Sequence, residues 1–459
     1  MNWQAVFTGM LPEHLLLAGA LLLIVVELVS RRPPDGLPLT LATFAAAFLA
    51  ALWLAATGHA GEPFPGQFAV DTAAFAGKAV MLGLAIPVVL LARGELEGPR
   101  PFLLLLFSLY GACLTLSADS FLTLFIGLEL LSLPVYVLVM AGMRGPDSAE
   151  AALKYLVLGG AASAMLLMGA SLLLGATGTL ATASFATGLG AGTPLATAGV
   201  LLVVAAFFLK AAVIPFHAWA PDAYQGATVP VTAYMAAIVK AGVLLAAVRL
   251  FGGAGVPAAL VAPIALLPLV SMAWGNLAAI RQSSFRRMIA YSSIAHAGYL
   301  FFAFLGAPEG RFEAVAFYVI AYGLMNVLAF AALPGGADDA AADRLEALQG
   351  LYRRRPYAAI TLGVAMLSLA GLPPFPGFVA KFLIFRNVME AGYTSLAVAG
   401  LVASYLGLYF YLRVLQYAFM GQASGESLPA RRLALGASLL CLVPVALLTF
   451  FPGWLLERL

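Results

Sequence analysis

The chain alternates between long apolar segments and short polar connections, and most apolar segments are about 20 residues long. A helix of that length crosses a hydrocarbon core of about 30 Å, so the pattern predicts about fourteen transmembrane helices. Strands are not indicated. The predicted spans lie near 11–30, 37–57, 70–92, 101–118, 120–142, 150–175, 196–222, 228–250, 257–280, 288–306, 312–333, 356–390, 395–420 and 432–452.

Composition excludes the water-soluble globular classes. Of the 459 residues, 63% are hydrophobic and 10% are charged, with a mean hydropathy of +0.99. These values are typical of an all-α, polytopic membrane protein. The first span begins at Leu11 without a basic flank or a cleavage site, so we expect it to be a retained helix and not a removed signal peptide.

The connections form two alternating sets that differ in arginine content. One set, which we call the arginine-poor face, holds Arg249, Arg311 and Arg458. Basic residues accumulate on the cytoplasmic side of membrane proteins, so the other set is predicted to be cytoplasmic and both termini periplasmic. That other set carries fourteen arginines, in RRPPDG, RGELEGPR, MRGPDS, RQSSFRR, residues 344–355 and PARR.

The longest cytoplasmic connection joins spans eleven and twelve. Its sequence, GGADDAAADRLEALQGLYRRRP, predicts a short amphipathic helix at the membrane surface, with a solvated linker as the alternative.

All five lysines lie within apolar segments, whereas nineteen of the 24 basic residues are arginines. An ionisable group in a span costs several kcal/mol, so a bias toward arginine on the surface does not explain these positions. Arginine stays charged, but a desolvated lysine releases its proton, so these residues are candidates for carrying protons. For any single one, the alternative is a lysine that reaches the interface or binds a loose carbonyl. The five are Lys78, Lys154, Lys210, Lys240 and Lys381.

Glu129, in LTLFIGLELLSLPVYVL, lies near the middle of a span and requires a partner. A buried carboxylate beside a buried ammonium keeps both groups charged, and separating them favours the neutral forms, which makes such a pair a switch. Other carboxylates lie at span ends or breaks, where capping or surface roles are expected. They are Glu27, Glu150, Asp119 and Asp222.

Two histidines lie inside apolar segments. His217 is in IPFHAWAPDAY and His296 is in YSSIAHAGYL, where an imidazole could pass protons between chains of water; a hydrogen-bonded core histidine is the alternative. His14 and His59 lie near span ends or in connections, and we expect them to be solvated.

Several classes of site are not supported by the sequence. Cys113 and Cys441 lie alone in separate spans, so we expect buried thiols and no iron–sulfur or zinc site. No glycine fingerprint follows a strand and no Walker sequence is present, so nucleotide and nucleic-acid binding are not expected.

Prolines interrupt spans seven and twelve, in AAVIPFHAWAPDAY and SLAGLPPFPGFVAKF. Broken helices at corresponding places indicate an inverted repeat, with ion sites beside the unwound backbone. The break supplies polar backbone and room for water, which Lys210 and Lys381 need in mid-membrane. The predicted organisation is three N-terminal helices in 1–100, one five-helix repeat in 101–250, a second, inverted repeat in 257–420 and a C-terminal helix in 421–459.

Several of these segments resemble the antiporter-like membrane subunits of respiratory complex I, over about residues 101–420. The N type is the most similar, by length, number of spans and a lysine in span twelve, where the M type has glutamate. The long C-terminal lateral helix of the L type is absent. The segments are FIGLELLSLPVYVL, ALKYLVLGGAASAMLL, FFLKAAVIPFHAWAPDAYQGATVPVTAYMAAIVKAG, YSSIAHAGYL and GLPPFPGFVAKFLIF.

The resemblance implies roles for six residues. Glu129 would pair with Lys210, and Lys240, His296 and Lys381 would continue a proton path. Lys154 would be an auxiliary lysine near the first pair. Lys78 has no counterpart, and a lysine facing a neighbouring subunit is as reasonable for it as a functional one.

The implied function is proton translocation, coupled to quinone reduction elsewhere in a complex that oxidises NADH. The chain would be an enzyme subunit in a bacterial inner membrane, with neighbouring antiporter-like and small membrane subunits as partners. NADH, FMN, iron–sulfur clusters and quinone would bind in partner subunits and none in this chain. The alternatives are a subunit of a multisubunit sodium/proton antiporter or of a membrane-bound hydrogenase, and a structural spacer, which five buried lysines disfavour.

Overall fold

The computed structural model describes residues 3–31, 34–142, 145–334, 342–421 and 433–458, and most of them lie in helices. The polypeptide is therefore all-α, as predicted. Four helices precede residue 100: α1 (Trp3–Gly9), α2 (Leu11–Val29), α3 (Leu37–Ala56) and α4 (Thr72–Leu91).

A small hairpin between α3 and α4 corrects the expectation that no strands are present. Strands β1 (Gly61–Phe64) and β2 (Phe68–Val70) pair in antiparallel fashion. Gly66 lies in the turn with φ 69°, a conformation that glycine adopts without steric cost. Strands of three and four residues are too short to give a readable alternation in the sequence, so this pairing could not be predicted.

The next part of the chain contains the first predicted break. A π-helical turn, Met235–Val239, joins two of its helices into one continuous span, a feature absent from the sequence prediction. The helices are α5 (Arg100–Leu116), α6 (Phe121–Gly142), α7 (Pro146–Thr177), α8 (Ser184–Ala191), α9 (Pro194–Ala211), α10 (Trp219–Gly226), α11 (Val229–Tyr234) and α12 (Lys240–Phe251).

The remaining part contains the second predicted break and two single 3-10 turns, Ala303–Leu305 and Leu345–Leu348. Its helices are α13 (Ala258–Ile280), α14 (Phe285–Phe302), α15 (Pro308–Ala331), α16 (Leu351–Arg354), α17 (Pro356–Ala370), α18 (Pro376–Glu390), α19 (Thr394–Tyr405), α20 (Leu408–Met420), α21 (Ala434–Phe450) and α22 (Pro452–Leu456).

Within the described residues, eleven helical segments are long and apolar enough to cross a membrane, and each coincides with one predicted span. Predicted spans four, twelve and fourteen coincide with shorter apolar helices, namely α5, α17 and α21. The protein is thus a multi-pass membrane protein, and the total of fourteen spans stays a prediction.

Both predicted interruptions are present. Span seven is divided into α9 and α10, and span twelve into α17 and α18; the Ile214–Pro215 and Pro373–Pro374 peptide bonds are cis. A third interruption, between α19 and α20, divides predicted span thirteen at Gly407. No proline lies at this interruption, so the sequence does not indicate it. A Cβ at Gly407 would lie 2.7 Å from Oδ1 of Asn276, so a close helix contact requires glycine here.

The connection between spans eleven and twelve differs from the predicted amphipathic helix. Its described part, from residue 342, forms a 3-10 turn and then α16, and Leu345, Leu348 and Leu351 are buried in the protein. The leucines therefore pack inward and do not form an apolar face toward lipid. Residues 335–341 lie outside the described part of the chain.

Three spans form the interior of the bundle. The share of buried residues is 100%, 94% and 94% in the segments Val229–Phe251, Phe285–Leu305 and Pro308–Ala331, respectively, against 33% in each of α2 and α3. An apolar helix without an exposed stripe belongs inside a large bundle. These central spans carry Lys240 and His296, so two candidate residues are held far from lipid.

Candidate functional site

Glu129 on α6 and Lys210 on α9 form an ion pair. Lys210 Nζ lies 2.9 Å from Glu129 Oε1, and the two side chains are 5% and 18% exposed, respectively. Ser163 Oγ also donates to Glu129 Oε1, and Lys210 Nζ lies 3.4 Å from Ser132 Oγ. The predicted approach of these two residues is confirmed. The hydroxyls supply hydrogen bonds that a buried ion pair needs in addition to mutual attraction.

The break in span seven begins one residue after Lys210, where α9 ends at Ala211. Lys210 lies in the last turn of α9, where the partial negative charge of the helix C-terminus favours an ammonium. Ala212, which follows the helix, has φ 63°, a left-handed conformation that is costly for a residue other than glycine. Trp219 Nε1 donates to the carbonyl oxygen of Leu209 at 3.0 Å. The carbonyl oxygen of Leu209, near the end of α9, thus accepts a hydrogen bond from a side chain of α10.

His217, in the same break, is partly buried and its Nδ1 has no hydrogen-bond partner among the described residues. Among the described residues, no hydrogen bond joins His217 to Glu129 or Lys210.

Lys240 is the first residue after the π-helical turn of span eight. Its Nζ donates to the carbonyl oxygen of Ser293 at 2.6 Å and also contacts Ser293 Oγ. The Tyr224 hydroxyl lies 3.1 Å from the same Oγ, and the Tyr322 ring centre lies 6.0 Å from Nζ. No carboxylate pairs with Lys240 among the described residues, so neutral groups alone hold this lysine. The π-turn beside it is typical of a functional site.

His296 lies inside a cluster of hydroxyl groups. Its Nε2 is 3.1 Å from the Tyr411 hydroxyl and its Nδ1 is 2.8 Å from the Tyr318 hydroxyl. The Tyr411 hydroxyl is also 2.6 Å from Ser292 Oγ. Both ring nitrogens therefore have partners, and a proton can move through the imidazole by exchange of its two tautomers. The sequence analysis did not single out these tyrosines.

The Tyr322 hydroxyl lies near this cluster but has no hydrogen-bond partner among the described residues, although the residue is 2% exposed. The Tyr322 and His296 ring centres are 4.6 Å apart. A buried hydroxyl without a partner costs about 1–3 kcal/mol, which a bound water would offset.

Lys381 lies on α18, after the second break. Its Nζ donates to the carbonyl oxygen of Ala370 at 3.0 Å and to Ser404 Oγ at 3.1 Å, and lies 4.9 Å from the Tyr299 ring centre. Gly371 ends α17 with φ 82°, and a Cβ there would lie 2.9 Å from Lys381 Cδ. The break thus supplies both a free carbonyl and the space for the lysine stem.

Lys154 occupies a different place from the one expected. Its side chain is 44% exposed, and its Nζ pairs with Glu150 at 2.7 Å and with Asp222 at 2.6 Å. Asp222 also pairs with Arg287 at 2.6 Å, so it joins α7, α10 and α14 instead of only capping or facing solvent. Lys154 does not contact Glu129 or Lys210, because its helix face leads to this surface cluster. A cavity of about 250 Å³ adjoins the cluster.

Lys78 is fully buried, which contradicts one of the two alternatives left open for it, that of a lysine facing a neighbouring subunit. Its Nζ lies 2.6 Å from Glu13 Oε1, and both side chains are 0% exposed. The ammonium also lies 5.0 Å and 4.9 Å from the ring centres of Phe68 and Phe75. The sequence analysis passed over Glu13 because it lies in the first turn of α2, where a carboxylate is ordinarily solvated.

A second buried pair, Arg286 with Asp343 at 3.0 Å, was also missed. Arg286 further donates to the carbonyl oxygen of Ala227 at 2.5 Å, beside the end of α10. Its position in an arginine-rich connection suggested a solvated residue, whereas it is 1% exposed.

Metal ligands are not clustered in the described part of the chain: no three His, Cys, Asp or Glu residues lie close enough to hold a metal ion there. Cys113 and Cys441 are free and buried, as predicted.

Comparison with known proteins agrees with this architecture. The family described as "NADH:quinone oxidoreductase/Mrp antiporter, TM" matches residues 118–407. NADH-quinone oxidoreductase subunit N of Pelobacter propionicus is 38% identical, over 97% of this chain and 96% of that protein. A chain of respiratory complex I from Thermus thermophilus with bound aureothin is 35% identical, with a TM-score of 0.83, over 97% of this chain and 98% of that one.

A chain of the Mrp complex from a Dietzia species has a TM-score of 0.85 at 23% identity, over 98% of this chain and 96% of that one, which shows a common fold alone. The family match covers more than half of the chain, and the subunit N relative covers nearly all of it. The chain therefore belongs to the NADH:quinone oxidoreductase/Mrp antiporter family and, within it, to the antiporter-like N-type membrane subunits of respiratory complex I.

Proposed function

We propose that this chain translocates protons across a bacterial inner membrane as a subunit of an NADH-quinone oxidoreductase. The observation that carries the proposal is the Glu129–Lys210 ion pair, in which Lys210 lies beside the break of span seven and both side chains are mostly buried. Burying either ion alone costs several kcal/mol, so the two hold each other in the charged state. A change that separates them favours proton uptake by Glu129 and proton release by Lys210.

The path that we propose continues from this pair through Lys240, His296 and Lys381. Each of the three is at least nine-tenths buried and hydrogen-bonded to hydroxyl or carbonyl groups, which stabilise it without a fixed counter-charge. Lysine suits this role because it gives up a proton when desolvated, whereas arginine does not. Lys154, at the surface cluster with Asp222, would act at the start of the path.

The proposal includes the orientation and the partners. The arginine-rich connections would be cytoplasmic and both termini periplasmic. Neighbouring antiporter-like and small membrane subunits would flank the chain. NADH, FMN, iron–sulfur clusters and quinone would bind in other subunits, and the chain itself would hold no redox group. The two broken helices would belong to two inverted five-helix repeats.

The decisive experiment replaces Glu129 with Gln in the complete complex, in sealed vesicles. The substitution removes a charge at nearly constant volume. We expect NADH-driven proton translocation and quinone reduction to fall strongly while the complex stays assembled and oxidises NADH with an artificial acceptor. Glu27→Gln is the matched control, since Glu27 lies at the surface in a pair with Arg100. Normal proton translocation in Glu129→Gln would remove this residue from the mechanism.

A second experiment separates complex I from the alternative complexes. Purification of the chain with its neighbours should bring NADH-oxidising subunits with it. Their absence, with subunits of an antiporter or hydrogenase in their place, would contradict the proposed assembly.

A further inference from the structure

A cavity of about 520 Å³ opens at the arginine-poor face, between the start of α4 and the end of α12. We call it the vestibule. Arg249 spans part of it through two bonds to the Asp71 carboxylate, at 2.9 and 3.0 Å. Asp119 adds a second carboxylate, and Thr115 and Thr182 add hydroxyls to the lining. Because its lining is charged, the vestibule favours occupation by water.

The charged state of the vestibule is held by its ion pair. Burial raises the pKa of Asp71, but the bonds and charge of Arg249 outweigh that effect and hold the pKa below its usual range. Asp71 is therefore ionised at neutral pH. The loop at Gly252 is fixed by Arg311, which donates to the carbonyl oxygens of Gly252 and Ala254 at 3.3 and 2.8 Å.

A narrow apolar cleft continues from the vestibule into the bundle, between α4, α12 and α15. It shares Ala73, Arg249 and Phe312 with the vestibule and has a volume of about 20 Å³. A void of about 10–15 Å³ is the least that holds one water, so the cleft has room for a single molecule. Its lining offers no hydrogen bond beyond Arg249, so it is dry at rest.

The exposure pattern of α4 follows this cleft. Four positions on one face of the helix keep partial exposure within the span, at spacing i, i+3, i+4 and i+7: Ala73, Ala76, Gly77 and Val80. Their neighbours on the helix are buried, among them Lys78 and Ala79. The cleft exists because residue 77 has no side chain: a Cβ there would lie 2.7 Å from Leu116 Cδ1.

The inner end of the cleft lies on the side of the bundle that leads toward Lys240 and Tyr322. Leu245, which lines it, is five residues after Lys240 on α12, or about 7.5 Å along the helix axis. On α15 the lining ends at Ile320, two residues before Tyr322, whose buried hydroxyl has no partner among the described residues. The cleft therefore points from an aqueous vestibule toward the central line of polar residues.

We propose that the vestibule and the cleft form a water path that leads from the arginine-poor face toward Lys240 and opens when the cleft fills with water. Hydrophobic constrictions open and close in this way by wetting and dewetting. The use of the path by protons, and the periplasmic side of its mouth, rest on the proposed function. A lipid acyl chain would also suit an apolar cleft, but the ionised Asp71–Arg249 pair at the mouth favours water.

Thiol labelling tests the path in the complete complex. In a chain with Cys113→Ala and Cys441→Ala, single cysteines are introduced by Ala73→Cys and Val80→Cys. A membrane-impermeant, positively charged methanethiosulfonate is added to sealed vesicles from each side in turn. We expect both cysteines to react from the arginine-poor face and neither from the other face. Ala79→Cys, one residue from Val80 on a buried face, should not react.

Gly77→Val supplies the internal control, because it fills the cleft between the two test positions. We expect it to abolish labelling at Val80→Cys and to leave labelling at Ala73→Cys. Reaction only with a lipid-soluble maleimide would mean that an acyl chain occupies the cleft and would overturn the proposal, as would the absence of any reaction at Val80→Cys. Labelling is read independently of proton translocation, so a failed Glu129 experiment and a failed cleft experiment are distinguishable.

Discussion

Lys78 and Glu13 form an ion pair of 2.6 Å in which neither side chain is exposed to solvent or lipid. The pair joins α4 to α2 and has no further hydrogen-bond partner among the described residues. The ammonium is also enclosed by the rings of Phe68 and Phe75. Helix α2 is thus attached to α4 through a charge pair, and removing either residue leaves the other buried without a counter-charge.

Lys78→Met is expected to destabilise the chain by about 3–5 kcal/mol, because it leaves Glu13 buried without a counter-charge. The double variant Lys78→Met with Glu13→Gln should recover much of that loss. Thermal unfolding of this chain within the detergent-solubilised complex measures the loss of stability in the single variant and its recovery in the double variant. Arg93→Gln is the control, since its pair with Asp35 is about half exposed and worth about 0–1 kcal/mol. Equal losses in Lys78→Met and Arg93→Gln would contradict a strongly coupled pair.

Lys381→Ala should impair NADH-driven proton translocation, and Lys381→Arg should not restore it fully. A guanidinium does not release its proton in an accessible range, and it is larger than the space that Gly371 leaves beside the lysine stem. Acidification or dye quenching in sealed vesicles measures the rate. Full activity in Lys381→Arg would assign Lys381 a structural role.

Tyr411→Phe removes the hydroxyl that links Ser292 to Nε2 of His296. We expect a stability cost of about 1–3 kcal/mol for the buried groups left unpaired, together with slower proton translocation. Tyr234→Phe also removes a buried hydroxyl bond, to Ser108, but away from His296, so it should cost similar stability and leave translocation unchanged. If both variants translocate protons at the same rate, the hydroxyl cluster around His296 is not part of the path.

Gly371→Ala tests whether the break positions Lys381. Gly371 and Gly392 both have positive φ, 82° and 91°, so alanine at either costs about 1–2 kcal/mol of backbone strain. Only at Gly371 does the new Cβ meet Lys381, since nothing lies within 4 Å of a Cβ at Gly392. We expect slower proton translocation in Gly371→Ala alone. The same loss in Gly392→Ala would attribute the effect to strain.

The sequence by itself determined eleven helices that are long and apolar enough to cross the membrane, and the two helix breaks that contain proline. Both depend on local chemistry: a run of apolar side chains must leave water, and the prolines of AAVIPFHAWAPDAY and GLPPFPG remove backbone donors at fixed places. The sequence also showed that all five lysines lie in apolar segments. This was visible without a structure because the free-energy cost of burying a charge depends on the residue and on the segment that contains it. The resemblance to complex I subunits then supplied the pairing of Glu129 with Lys210.

Only the tertiary structure decided which buried group meets which. Lys78 and Glu13 lie on helices far apart in the chain, and their contact depends on how α2 packs against α4. Lys154 resembles the other lysines in sequence, yet its helix face turns it to Asp222 at the surface, whereas packing encloses Lys240 against Ser293. A carboxylate near a span end gives no local sign of burial, since the helix that covers it is chosen by packing between distant segments.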